Sequence, residues 1–376
     1  MNTDKHRGEQ DTRCWIQDRV LEVASNIQYP ISVFIQTHLW LIPFYTPRGL
    51  GYTEAAFMTT ANLASTHPES QTLRAVVSPT PVNVDADTLQ IVIMSDLHLP
   101  NDSAHARTIL QNKPFMRAMD HAILLGDMAA TYGTPREYAA INKFLAQLEQ
   151  PYTAINGNHE FYFHVGEDAP RFGARWDEGS PEEKAAQLEN FLQFYGLDSL
   201  WRAQHGNLGS FIFLGINGTH AHKAETLSDE QWQFLDEELA RFSDKPAYVF
   251  CHSPLMLRDR LDMKYYDEER TACVEAPHRV LDAIEKRAAP IFWMSGHIHL
   301  RGDHYLFAPY EIAPRVWQVH CPDTWGYSRW QREHITPQRH GEVMTRHLKI
   351  EKKRATFVTH DHARREETAS YKIEFD

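Results

Sequence analysis

Five short stretches of the chain place oxygen and imidazole donors directly after apolar runs. Ser95-Asp96-Leu97-His98 follows Ile91–Met94, Gly126-Asp127 follows Ala122–Leu125, and Gly157-Asn158-His159-Glu160 follows Tyr152–Ile155. His252 follows Tyr248–Cys251, and Gly296-His297-Ile298-His299 follows Ile291–Met294. Carboxylate, amide and imidazole without thiolate suit divalent or trivalent first-row ions such as Mn, Fe or Zn. There are more such side chains than one ion needs, which points to two ions bridged by a carboxylate. Two ions a few ångströms apart clamp the attacking and leaving oxygens of an in-line phosphoryl displacement. They also acidify a bound water, so that hydroxide is available near neutral pH. Taken singly, each stretch has a plainer reading. Asp-x-His usually closes a loop or caps a helix, Gly-Asp is a common turn, and His252 beside Cys251 could be a hydrogen-bonded core histidine. Their joint occurrence at five strand ends carries the metal site.

Elements of an α/β protein would position these residues. The apolar runs read as short buried strands, joined by Phe211–Leu214. Between them lie amphipathic helices. One has Tyr138, Ile141, Phe144, Leu145 and Leu148 on one face; a second opens at Ser228 with Gln231 completing a capping box and buries Trp232, Leu235 and Leu239; a third carries Val280, Leu281 and Ile284. Such alternation implies layered sheets and helices, in which loops at the carboxyl ends of strands converge on one crevice. Beyond Trp325 the pattern changes. His347–Glu351 and Ala355–Thr359 flank Lys352-Lys353-Arg354 like the arms of a hairpin, and Tyr371–Phe375 is a third candidate strand finishing one sheet of the same domain.

With these residues in order, Leu89 to His304 resembles the calcineurin-like metallophosphoesterases. The resemblance implies a four-layer αββα sandwich of two mixed β-sheets flanked by helices. It implies that Asp96, His98 and His299 bind one metal, that Asn158, His252 and His297 complete a second, and that Asp127 bridges them. His159 would assist catalysis, binding the phosphate or protonating the leaving oxygen, a task suited to imidazole. The nucleophile would be a metal-bound hydroxide, not a side chain. Many family members carry Asn or Asp shortly after the Gly-Asp pair, where this chain has Met128-Ala129-Ala130; the change bears on support around the ligands rather than on the ligands themselves. Leu227-Ser228-x-Glu230-Gln231-Trp232 is similar to the subgroup of bacterial cyclic-nucleotide and glycerophosphodiester phosphodiesterases.

Residues 1–87 lie outside that pattern and read as an N-terminal extension, with the metallophosphoesterase domain spanning 88–376. Trp15, Ile16, Arg19, Val20 and Val23 have helical spacing, and Ser78-Pro79-Thr80-Pro81 reads as a linker or turn. The extension is expected to pack on the core; its apolar stretch could instead meet a membrane surface or a second copy of the chain, giving a homo-oligomer. No run approaches the roughly 20 apolar residues of a membrane span. Four scattered cysteines, Cys14, Cys251, Cys273 and Cys321, suit reduced thiols, and the polar N-terminus lacks a secretory core, so a cytoplasmic location is expected.

A formal net charge of −12 argues against long nucleic acid as partner and leaves a small phosphate-ester substrate. A small phosphodiester is the leading expectation. A phosphomonoester, a lipid or nucleotide pyrophosphate, or a nuclease substrate would use the same metal centre, and a metal-poor interaction scaffold is the non-enzymatic alternative. His164, His220 and His222 could line the substrate pocket or lie in aromatic packing and a polar turn. His360 and His362 are expected at a surface strand end.

Overall fold

The alternation within each strand decides the layering. A computed structural model describes residues 73–163, 178–220, 223–257, 273–300, 307–322 and 342–376. In β1 (Thr88–Met94), Ile91 and Ile93 face one way and Val92 and Met94 the other, and both sets are buried. A strand buried on both faces must lie between two layers. It pairs in parallel with β2 (His121–Leu125), which pairs in parallel with β3 (Tyr152–Ile155).

The second sheet holds β4 (Trp201–Gly206), β5 (Gly209–Leu214), β6 (Ala247–Cys251), β7 (Ile291–Ser295), β8 (Tyr310–Ala313) and β9 (Val316–His320), in the order β4-β5-β6-β7-β9-β8. The chain then returns to the first sheet with β10 (Met344–Glu351), β11 (Arg354–Asp361) and β12 (Glu366–Glu374), giving the order β12-β11-β10-β1-β2-β3. β1 and β10 are antiparallel, with Ile93 opposite Arg346. Both six-stranded sheets are therefore mixed. The three C-terminal strands finish the first sheet as expected, with a turn at Lys352-Lys353.

Between the sheets, Ile91, Ile93, Ile123, Leu125, Ile155, Leu348 and Phe357 meet Phe211, Phe213, Tyr248, Phe250, Phe292 and Met294. The aromatic rings run along the second sheet at centroid separations of 5.0 Å (Phe213–Phe250) and 5.3 Å (Tyr248–Phe292), and Phe292 reaches Phe357 of the first sheet at 5.6 Å. Burying each such side chain stabilises the sandwich by about 1.5–3 kcal/mol.

The outward faces pack against α1 (Ser103–Gln111), α2 (Lys113–Arg117), α3 (Pro135–Leu145), α4 (Pro181–Tyr195), α5 (Asp229–Arg241) and α6 (His278–Ile284), completing the αββα order. Three of these helices open with full capping boxes: Thr134 with Glu137, Ser180 with Glu183, and Ser228 with Gln231. In α4, Pro181 at the first position and Gly196 in the left-handed region past the end mark both termini.

Residues 73–87 run along this core. Ala75 N–H donates to Phe194 O (2.8 Å), Thr80 N–H donates to Tyr152 O (2.7 Å), and Val82 and Val84 are buried. Thr72–Asp376 forms one compact unit. The rest of the N-terminal extension lies outside the described residues, together with its expected helix, its apolar stretch and any membrane or homo-oligomer contact. Among the described residues no helix is long and apolar enough to cross a membrane.

His360 and His362 differ from expectation: they are buried, 7% and 2% exposed, because α2 places Phe115 over them. The Phe115 ring stacks on His360 at 4.1 Å and meets His362 and His347 edge-on at 5.0 and 5.8 Å. Asn112 Nδ2 lies 2.9 Å from His360 Nε2, and Thr345 Oγ1 lies 2.8 Å from His362 Nε2. Burial, with the charge of His360 in second place, lowers His347 to about 4 and His362 to about 3. Asp120 pulls His347 the other way and Lys349 adds to its depression; His360 is itself lowered by burial against Glu367 and Asp361.

The unfolded chain takes up these protons near pH 6.5 while the folded chain refuses them, so stability falls as pH drops from about 6.5 towards 4. Each histidine contributes a slope of about 1.4 kcal/mol per pH unit. Replacing both (His347→Gln with His362→Gln) should make urea-unfolding stability fall less steeply across that window. An acid slope equal to that of the unsubstituted chain would show that the cluster is not its source.

Candidate metal centre

Each of the five strand-end loops brings its side chains to one end of the sandwich, and the backbone bends sharply to do so. Among the described non-glycine residues, eight have positive φ, and five of them are Asp96, His98, Asp127, His297 and His299, at 42° to 67°. Left-handed backbone is costly for residues with a Cβ and persists where surrounding structure over-determines it, often at functional sites. Here it turns the polar side chains back over the ends of β1, β2 and β7.

Two groups of donors result. In one, ligand atoms of Asp96, His98, Asp127 and His299 all lie within 4.8 Å of one another; in the other, those of Asp127, His252 and His297 do. Asp127 belongs to both. His299 Nε2 is 3.4 Å from Asp96 Oδ1 and 3.4 Å from His98 Nε2. Two nitrogens at about 2.1 Å from one cation stand roughly 3–3.5 Å apart at right or tetrahedral angles, so the pair fits a shared ion. His252 Nε2 lies 3.2 Å from Asp127 Oδ2 and 3.9 Å from Asp96 Oδ1. Asn158, in a single 3-10 turn (Asn158–Glu160), is buried, and its Oδ1 makes no hydrogen bond with the described residues. A buried amide oxygen of this kind is costly and suits a cation. The residues present fit a dinuclear centre.

The electrostatics agree. Burial works to raise Asp127, yet the His252 and His159 charges and a His252 hydrogen bond hold it well below the usual carboxylate range. Asp96 is likewise lowered against its burial by His299 and His252. His98 is pushed down to about 3 by burial and then by His159 and His299, leaving a neutral imidazole with a lone pair. Burial lowers His252, but Asp127 and Asp96 outweigh it and bring it to about 10. Bound cations would take over that pairing role.

Hydrogen bonds behind the donors set their orientation. His252 Nδ1 meets Leu125 O at 2.8 Å, and His159 Nδ1 meets Ala130 O at 3.0 Å, so each ring presents Nε2 to the centre. His159 N–H donates to Asp127 Oδ1 (2.9 Å), leaving Oδ2 for His252. The buried Glu160 carboxylate accepts from the N–H groups of Asp127, Ala129 and Gly157 at 2.9, 2.9 and 2.6 Å. Met128-Ala129-Ala130 thus supports the site through its backbone, with Ala129 N–H on Glu160 and Ala130 O under His159.

The packing leaves no room at the glycines. A Cβ on Gly157 would sit 2.2 Å from Asp127 Oδ1 and 2.8 Å from the His252 ring. Gly157→Ala should therefore lower bound metal per chain about 10-fold or more while far-UV circular dichroism stays native. Undiminished metal content by elemental analysis would show that this contact does not set the centre.

All seven expected ligands and His159 gather at this end of the sandwich. His159 lies 3.9 Å from Asp127 Oδ2 through its Nε2, and its ring is 4.6 Å from that of His98. His220 is exposed and belongs to neither donor group. His164 and His222 lie outside the described residues. Two acids were not anticipated. The role of Glu160 was available in its i, i+3 spacing from Gly157. Glu225, whose Oε1 is 2.8 Å from His297 Nε2, comes from the loop after β5, a sixth strand end to which the same convergence rule applies.

A family model described as calcineurin-like phosphoesterase matches residues 89–301. A glycerophosphodiester phosphodiesterase, GpdQ, of Enterobacter lignolyticus (strain SCF1) is 23% identical over 202 residues, 53% of this chain and 62% of that protein. The match thus spans about three-fifths of that relative's length. Among solved structures, purple acid phosphatase PPD1 from yellow lupin (Lupinus luteus) seeds is similar over 80% of this chain and 55% of its own, at 14% identity and a TM-score of 0.49. PhoD is similar over 80% and 72%, at 14% identity and a TM-score of 0.47.

Proposed function

The chain belongs to the calcineurin-like phosphoesterase family, and from that premise we propose that it hydrolyses a small phosphodiester at a two-metal centre. Asp96, His98 and His299 would hold one ion, Asn158, His252 and His297 the other, with Asp127 shared between the two donor groups. The observation that carries this reading is the shared carboxylate: Asp127 is the one residue common to two otherwise separate donor groups. Ions bound there would supply Lewis acidity to the phosphoryl oxygens and an acidified water near neutral pH.

The side chains do the rest. The His159 N–H fixes Asp127 Oδ1, so the carboxylate cannot swing out of its spanning position. The bond from His159 Nδ1–H to Ala130 O aims Nε2 at the centre; a proton on Nε2 for the departing oxygen needs the imidazolium form, which burial opposes and Asp127 favours. Phe163, 5.2 Å from the His159 ring, backs that imidazole with apolar surface. Preference for a diester rests on likeness to the Enterobacter protein, whose name is glycerophosphodiester phosphodiesterase, and on the acidic net charge of −12, which disfavours long polyanions.

The test is hydrolysis of bis(p-nitrophenyl) phosphate against p-nitrophenyl phosphate by metal-reconstituted protein, with elemental analysis of the same sample. Faster diester cleavage with about two metals per chain is expected. Preference for the monoester would replace the reading with a phosphatase, and absence of both metal and turnover would overturn it. Asp127→Asn should nearly abolish turnover. His159→Ala should slow it about 10²–10⁴-fold with metal content nearly unchanged; an emptied site in that variant would make His159 a ligand instead.

A further inference from the structure

We propose that Glu225 is the positioning residue of the second metal group, holding His297 in the tautomer that presents Nδ1 to the ion; this rests on the two-metal reading above. His297 Nε2 lies 2.8 Å from Glu225 Oε1, with the two side chains only 14% and 15% exposed. An ionised carboxylate only accepts hydrogen bonds, so Nε2 must be the donor. A neutral imidazole has one donor and one acceptor nitrogen, and a metal takes the lone pair. Nδ1 is therefore the nitrogen left for coordination. The remaining freedom of the residue is removed by its backbone, whose N–H donates to Asp96 Oδ2 (3.2 Å) at a φ of 67°.

Glu225 differs from the other acceptors behind this site. His252 and His159 each rest a ring nitrogen on a backbone carbonyl, whereas His297 rests on a charge. The difference follows the distribution of acids. The first group contains Asp96 and Asp127, while the second has Asp127 alone, shared, beside His252 and His297, which bring no negative charge. Glu225 restores negative charge on the poorer side, through a carboxylate–imidazole pair that raises ligand basicity.

The loop is built to hold that carboxylate still. Asn217 N–H donates to Thr226 O (2.7 Å), Thr226 Oγ1 to Lys223 O (2.8 Å), and Gln231 Nε2 to Gly215 O (2.5 Å). These bonds close the segment on either side of Glu225 and tie it to the start of α5.

The experiment is calorimetric titration of Mn²⁺ into metal-stripped wild type, Glu225→Ala and Glu225→Gln, with circular dichroism of each. In Glu225→Ala one of two sites should weaken about 10–100-fold while the other changes by less than about threefold. Glu225→Gln, whose carbonyl can still accept from Nε2–H but carries no charge, should recover part of the lost affinity. Two sites of wild-type affinity in Glu225→Ala, or equal weakening of both, would overturn the positioning role. Wild type that binds fewer than two Mn²⁺ would overturn the two-metal reading itself, and does so without reference to the variants.

Discussion

A single buried carboxylate organises one whole end of this protein. Asp127 holds one oxygen against the His159 N–H and faces the other towards His252, while its own N–H is gripped by Glu160. Its neighbours come from both sheets: Asp96, His98 and Asn158 follow strands of the first, and His252, His297 and His299 follow strands of the second. Two acids and several imidazoles at full burial are unfavourable without compensation. The close-packed aromatic layer between the sheets keeps the loops from relaxing apart. The site's strain is thus sustained by hydrophobic burial at a distance, as left-handed backbone at five donor residues requires.

The layer between the sheets also contains a buried charge held by carbonyls and a hydroxyl. Arg346 is fully buried, donates to the carbonyls of His320 and Phe307 and to Thr359 Oγ1, and lies over the Phe307 ring. Burial lowers it to about 10. It links β10 of the first sheet to β9 of the second. The backbone of β9 leads on to Cys321, whose N–H donates to Ser295 O immediately before Gly296. The His297–His299 loop is therefore anchored through a polar thread as well as through β7.

Much of this was legible in the sequence because strand ends and donors coincide. Apolar runs bounded by Asp, Asn or His are visible as strings, and the capping box at Ser228 is local chemistry. The helix Pro181–Tyr195 carried equally clear signals in Ser180, Glu183 and Gly196, but its apolar residues spread round more of the surface than a single stripe. The weak strands β4, β8 and β9 escape notice because their residues are half-buried or mixed in polarity. Burial of His360 and His362 depends on Phe115, about 245 residues earlier, and no local pattern reports such a contact. Glu225 follows a strand end that the sequence does show, but its partner is not legible there: a lone acid in a loop acquires meaning only from the imidazole that the fold brings to it.

The strand order carries a consequence for how the chain is made. β1 lies in the middle of its sheet, with β2 on one side and β10 on the other, and Ile93 waits for Arg346, which is synthesised 253 residues later. At roughly 5–20 residues per second on a ribosome, that interval is on the order of ten to fifty seconds. Once His299 has been made the nascent chain holds every donor of the centre, yet one edge of β1 stays unzipped until β10 follows. A chain cut short before Met344 would leave that edge open to strangers. The strands β10–β12 therefore act as a closing seam, sealed only after they have themselves been made.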